Sequence, residues 1–132
     1  MTGMVERRAG RIVNLGSAAG YLPTVPAAYG SSKAARHRLT EPLALQAAPN
    51  GISVFTISSG LVKTAMNADA FPADAPWTSP EHVAKLVCAL AGGRLDRLSG
   101  RFLHAVEDDI DDLIARADEI VANDLNAVRL RR

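Results

Sequence analysis

Three short apolar, β-branched runs alternate with stretches of helical period, and this alternation constrains the chain more than any other feature. Ile12-Val13-Asn14-Leu15, Ser53-Val54-Phe55-Thr56-Ile57-Ser58 and Arg101 to Val106 each read as a short buried strand. Tyr29 to Ala48 reads as a long helix. Ala34, Ala35, Ala44, Ala47 and Ala48 have high helix propensity, and Leu39, Leu43 and Ala47 recur on one face. Pro42 removes a backbone bond inside it at about 3 kcal/mol, so a kink or break is expected near Arg38 to Pro42. Ser79-Pro80-Glu81 has the cap, proline and acid of a helix start, followed by a buried face of Val83, Leu86, Val87 and Leu90 and a stop at Gly92-Gly93. A last amphipathic helix begins in the acids of 107–112 and is expected to bury Ile110, Leu113, Ile114, Ala117, Ile120 and Val121. Residues 1 to 8 read as the last turns of a helix stopped by Gly10.

Strand–helix alternation of this length implies parallel strands with crossover helices. Three parallel strands make a narrow sheet with an unprotected edge, and such strands need cover on both faces. The expected fold is therefore α/β: part of a doubly wound parallel sheet, about three strands with flanking helices. Apolar surface from Ile12, Val13, Val54 and Ile57 is expected to be partly exposed, which favours self-association.

At 132 residues and 48% hydrophobic, the chain is one domain at most. A net charge of +1 gives no overall excess pointing to nucleic acid or a membrane surface, and no apolar run approaches the ~20 residues of a membrane span. Cys88 is the single cysteine, which excludes an internal disulfide and suits a reducing compartment; it reads as a core residue. Met1 to Arg11 is charged and has no signal-peptide core, so the expected address is cytoplasmic. His37, His82 and His104 show no metal spacing and read as surface or packing residues.

The chemistry concentrates near the first strand. Ser17 follows its end, where a hydroxyl can donate to a substrate carbonyl as charge moves onto oxygen. Tyr29 and Lys33 stand one helical turn apart on one face. An unperturbed phenol, near ~10, is a poor acid–base catalyst, and an adjacent ammonium stabilises its phenolate. A hydroxyl donor, a proton donor and a cation are what hydride delivery to a ketone or aldehyde requires, and the hydride must come from a cofactor. These residues have plainer readings too: Tyr29 as a helix-start aromatic, Ser17 as a loop or cap residue, Thr64 as the N-cap of a short helix at 65–68.

Four segments, Ile12 to Gly20, Tyr29-Gly-Ser-Ser-Lys33, Gly51-Ile-Ser-Val and Ser59-Gly60-Leu-Val-Lys-Thr64, occur in the order in which they resemble the catalytic region of short-chain dehydrogenases/reductases. The resemblance covers residues 1–106, with 107–132 as an acidic helical C-terminal extension. It implies the C-terminal half of a Rossmann-type domain and an NAD(P)-dependent oxidoreductase that moves hydride between nicotinamide and a carbonyl or alcohol substrate. By resemblance, Ser17, Tyr29 and Lys33 are catalytic. Asn14, Tyr29, Lys33, Gly60, Val62 and Thr64 face NAD or NADP, and Lys33 holds the nicotinamide ribose. Residues 61–78 correspond to a substrate lid, with Met66, Phe71 and Trp77 as pocket candidates. The helix at 29–48 resembles one that pairs with its copy, implying a homo-oligomer when the full-length domain is present.

The sequence also departs from the family pattern. Neither Gly-x-Gly-x-x-Gly nor Gly-x-x-x-Gly-x-Gly occurs, since Leu22 stands where Gly16 and Gly20 would need a third glycine. Asn-Asn-Ala-Gly is also missing, and Gly16, Ser59 and Pro42 stand where the family favours other residues. The alternatives are a non-catalytic remnant or interaction module without the dinucleotide-binding half, and an α/β binding domain whose Tyr-Lys pair is coincidental. The missing phosphate turn predicts that this chain binds NAD(H) and NADP(H) weakly or not at all. Calorimetric titration checks this, and micromolar affinity would overturn it.

Overall fold

A computed structural model describes residues 1–131. Its strands are β1 (Gly10–Leu15), β2 (Ile52–Ser58) and β3 (Phe102–His104). The helices are α1 (Thr2–Arg7), α2 (Ala27–Ala47), α3 (Pro80–Ala91), α4 (Ile110–Ala115) and α5 (Ala117–Ala122). The strands form one parallel sheet in the order β1-β2-β3, as the alternation requires. Gly10 pairs with Ile52 through to Leu15 with Ile57, and Thr56 pairs with Phe102 through to Ser58 with His104.

The central strand β2 is buried on both faces. On one, Ile52 and Val54 pack with Ala44 and Ala47 of α2 and with Met4, Ile12 and Leu43. On the other, Phe55 and Ile57 pack with Leu86, Ala89 and Leu90 of α3 and with Leu95, Leu98 and Leu103. Leu113 of α4 and Ile120 of α5 complete that second core. The expected exposure is therefore corrected: Val54 is 0% and Ile57 1% exposed, because α2 and α3 cover β2 completely. Only Ile12 and Val13, on the edge strand β1, remain half-buried.

α2 runs unbroken through Pro42, contrary to the expected break at 38–42. Its buried positions are Gly30, His37, Thr40, Ala44 and Ala47, so small and polar side chains set a close approach to the sheet. Thr40 is anchored in both directions: its hydroxyl donates to the Arg36 carbonyl at 3.0 Å and also meets the Thr56 hydroxyl. Tertiary packing on either side of Pro42 overrides the missing backbone bond. Leu39, expected on the buried face, is 55% exposed.

Several boundaries also move. α1 ends at Arg8 in the left-handed region, φ 52°, and Gly10 opens β1. Ser79 caps α3 as expected, its side chain accepting the Glu81 N–H at 3.3 Å. The buried stripe of α3 is Leu86, Ala89 and Leu90, and at 100° per residue that turns Val87 and Cys88 outward; the cysteine is exposed, not core. Asp109 caps α4 by accepting the Asp111 and Asp112 N–H groups at 3.0 and 2.9 Å, which explains the acids there. The expected single last helix is split at Arg116 (φ −101°, ψ 11°), leaving Ile114 outside the core. β3 is shorter than expected because the Asp108 carboxylate takes the His104 N–H at 2.6 Å.

Phe55, fully buried between β2 and α3, carries the larger core. Phe55→Ala is expected to lower the unfolding free energy by about 3–5 kcal/mol in urea melts; a loss below about 1 kcal/mol would show that this core does not hold the sheet.

Candidate active site

The carboxyl end of β1 opens the site. The Gly16 N–H donates to the Ile57 carbonyl at 2.7 Å, so the chain leaves the sheet still tied to β2. Ser17 then caps a single 3₁₀ turn at Ala18–Gly20, its Oγ accepting the Ala19 N–H at 3.2 Å. That bond uses an oxygen lone pair and leaves the hydroxyl proton available to an outside acceptor. The Ser17 carbonyl is bonded as well: the His37 Nε2–H donates to it at 3.0 Å.

α2 brings Tyr29 and Lys33 to the same end of the sheet. Lys33 Nζ donates to the Leu15 carbonyl at 3.3 Å and lies 5.3 Å from the Tyr29 ring centroid, within cation–π range. The tyrosine is exposed and the lysine half-buried. Helical spacing, the β1 terminus and the phenol ring therefore meet at one ammonium, with Ser17 reached through the next helical turn at His37.

The other residues singled out in the sequence are placed differently. Asn14 turns toward α2, and its Nδ2 donates to Thr40 Oγ1 at 3.0 Å. Gly60 has φ 75°, a left-handed conformation that favours glycine, and a Cβ there would lie 2.7 Å from Thr78 Oγ1. Val62 and Thr64 lie in a loop organised by Asn67. Asn67 Nδ2 donates to the Val62 carbonyl at 2.9 Å, and its Oδ1 accepts the Thr64 N–H at 2.8 Å and hydroxyl at 3.1 Å. Thr64 does not cap a helix: residues 65–70 form turns. Beyond it, Phe71 and Trp77 meet edge to face at 6.0 Å and Lys63 lies 5.6 Å from the Trp77 ring, while Met66 is exposed.

Two residues of this arrangement were not legible as functional. Asn67 carries no motif. His37 had one signal, its position four residues after Lys33. Contrary to a surface reading, both His37 and His104 are buried. Among the described residues, no cluster of three or more His, Cys, Asp or Glu could hold a metal, and no helix is long and apolar enough to cross a membrane.

An α/β sheet with convergent polar groups at its carboxyl edge is the arrangement of a ligand-binding doubly wound fold. The family model described as short chain dehydrogenase matches residues 1–75. The chain is 35% identical over 116 residues to a galactitol 2-dehydrogenase of Rhizobium johnstonii, covering 76% of this chain and 45% of that one. Its structure is similar to a gluconate 5-dehydrogenase from Burkholderia cenocepacia in complex with NADP and tartrate, with TM-score 0.69, 25% identity, and coverage of 78% and 46%. A 3-oxoacyl-[acyl-carrier protein] reductase from Brucella melitensis with bound NAD gives TM-score 0.65, 30% identity, and coverage of 78% and 42%. The chain belongs to the short-chain dehydrogenase family and has its Rossmann-like parallel sheet. It spans less than half the length of these relatives.

Burial pushes the His37 imidazole below its ordinary value and the Lys33 ammonium adds to this, while the bond to the Ser17 carbonyl opposes both. The folded chain therefore binds fewer protons at this ring than the unfolded chain does, between the depressed value and about 6.5. Stability from His37 is full above about 6.5 and is lost as pH falls through that window. Urea midpoints of the native chain are expected to drop more between neutral and mildly acid pH than those of His37→Gln. Equal drops would show that the ring is not held neutral.

Proposed function

We propose that this chain carries the catalytic half of an NAD(P)-dependent oxidoreductase that moves hydride between nicotinamide and a carbonyl or secondary alcohol. In this reading residues 1–106 are the C-terminal half of the domain and 107–132 a helical extension. The observation that carries it is the Lys33 ammonium, held between the Tyr29 ring and the Leu15 carbonyl at the end of β1.

The donor set fits the nicotinamide side of the cofactor. One Lys33 N–H goes to Leu15, and an ammonium has two more for ribose hydroxyls. Thr64 spends its proton on Asn67 but keeps oxygen lone pairs, and Gly60 gives the loop before it its left-handed turn. On the phosphate side the sequence supplies no glycine-rich turn. Bound nicotinamide supplies or accepts the hydride.

The chain's own residues handle the proton and the charge. In the reducing direction Tyr29 gives its hydroxyl proton to the substrate oxygen, and the phenolate left behind is stabilised by Lys33. Ser17, with its proton uncommitted, donates a hydrogen bond to the same oxygen as charge builds there. Asn14 holds the first strand against the helix bearing Tyr29 and Lys33, and so keeps the loop near the cofactor. Relatives named for galactitol, gluconate and 3-oxoacyl groups support a polyol or ketone substrate class. The reading also makes the protein a cytoplasmic homo-oligomer, to which the exposed Leu39 and Leu45 of α2 would contribute.

Oxidation of NADPH and NADH by the whole chain, offered ketoses and 3-oxoacyl thioesters, tests this. Turnover is expected, falling by about 10²- to 10⁴-fold in Tyr29→Phe. Lys33→Met is expected to fall similarly and to raise the cofactor KM. A chain without turnover, or turnover indifferent to Tyr29, would leave a non-catalytic interaction module.

A further inference from the structure

His37 is the buried titratable side chain that this chemistry leaves without a role. It stands one helical turn past Lys33 on α2 and touches three elements. Its Nε2 lies 3.0 Å from the Ser17 carbonyl. A carbonyl only accepts, so Nε2 carries the proton and Nδ1 is bare. Nδ1 is buried and has no hydrogen-bond partner among the described residues. The ring stacks on Phe102 of β3, with centroids 4.6 Å apart and planes at 22°, and Tyr21 meets it edgewise at 6.2 Å. A Cβ on Gly20 would lie 2.8 Å from Nε2 and 2.9 Å from Cδ2, so the loop is contoured to the imidazole.

A desolvated bare nitrogen opposes folding, and an apolar side chain would fill the same slot without that cost. What imidazole adds is one donor, aimed at the backbone of Ser17. The bond runs from the helix that carries Tyr29 and Lys33 to the residue whose hydroxyl must work with them. We propose that His37 is a positioning residue: its Nε2–H, bonded to the Ser17 carbonyl, holds the Ser17 hydroxyl at the substrate oxygen that Tyr29 protonates. This rests on the reading of Ser17, Tyr29 and Lys33 given above. His37 itself touches neither substrate nor cofactor in this role.

Two measurements on the whole chain judge it. Long-range ¹⁵N–¹H spectra at neutral pH are expected to show a neutral Nε2–H imidazole coupled to the Ser17 carbonyl carbon. An Nδ1–H tautomer or a charged ring would overturn the proposal without any assay. Kinetics with NADPH and a 3-oxoacyl thioester then separate positioning from packing. His37→Asn, whose amide falls short of the carbonyl, is expected to lower kcat between about 10- and 100-fold with the NADPH KM unchanged. His37→Gln, whose amide nitrogen reaches the Nε2 position, is expected to restore most of it. In a Ser17→Ala background His37→Asn is expected to cost nothing further. Equal losses in both backgrounds, or no rescue by glutamine, would show that His37 only packs. If Ser17→Ala leaves kcat intact, or the native chain has no turnover, the proposed function falls and takes this role with it.

Discussion

The buried contact between the hydroxyls of Thr40 and Thr56 is the fastening on which the rest depends. Its hydrogen bonding closes completely. Thr40 gives its proton to the Arg36 carbonyl and accepts from Asn14 Nδ2, leaving Thr56 as the donor between the two threonines. Three elements are joined at one point: β1 through Asn14, α2 through Thr40 and β2 through Thr56. Buried hydroxyls and amides cost free energy unless paired, so this pairing has one acceptable geometry, which fixes the height and rotation of α2 over the sheet. With Thr40 pinned, Lys33 two turns earlier reaches the Leu15 carbonyl, and Tyr29 one turn before that reaches the same end of the sheet.

Cover of the sheet follows from the same arrangement. α2 can lie close on β2 because its inward residues are Gly30, Thr40, Ala44 and Ala47, with His37 the one large group. The opposite face is filled by leucines of α3 and of the 95–98 turn, with Leu113 and Ile120 from the paired short helices α4 and α5. The outer edge of β3 is closed by Asn126, whose carbonyl takes the Phe102 N–H at 2.9 Å while its Nδ2 donates to the Phe102 carbonyl at 3.1 Å. The acidic segment after β3 therefore builds part of the core, and its charges serve as caps and ion pairs: Asp109 on α4, Arg116 between Asp112 and Glu119, Asp124 between Arg129 and Arg101. Arg129 and Arg101 hold the Asp124 carboxyl down at about 2.

Local signals read correctly wherever the physics is local. The β-branched runs became strands, Ser79 capped its helix, and Asp109 used the acid-rich helix start. Readings failed where a neighbour distant in sequence intervenes. Val54 and Ile57 look like surface on a narrow sheet until two helices lie on them. Leu39 looks like the buried side of α2 until the threonine contact rotates the helix. Cys88 looks buried by composition, but the leucine stripe of α3 decides which residues face in.

The amino-acid sequence alone determined the parallel α/β order and the Tyr29–Lys33 pair, because strand propensity and one helical turn are properties of neighbouring residues. It also determined that no glycine-rich phosphate turn is present in these residues. Only the tertiary structure decided what Lys33 bonds, which residue organises the loop around Thr64, and that a histidine holds the backbone of Ser17. Those contacts join residues whose approach is set by the packing of α2 on the sheet and by buried polar groups that must find partners, and neither condition is written in any short stretch of the chain.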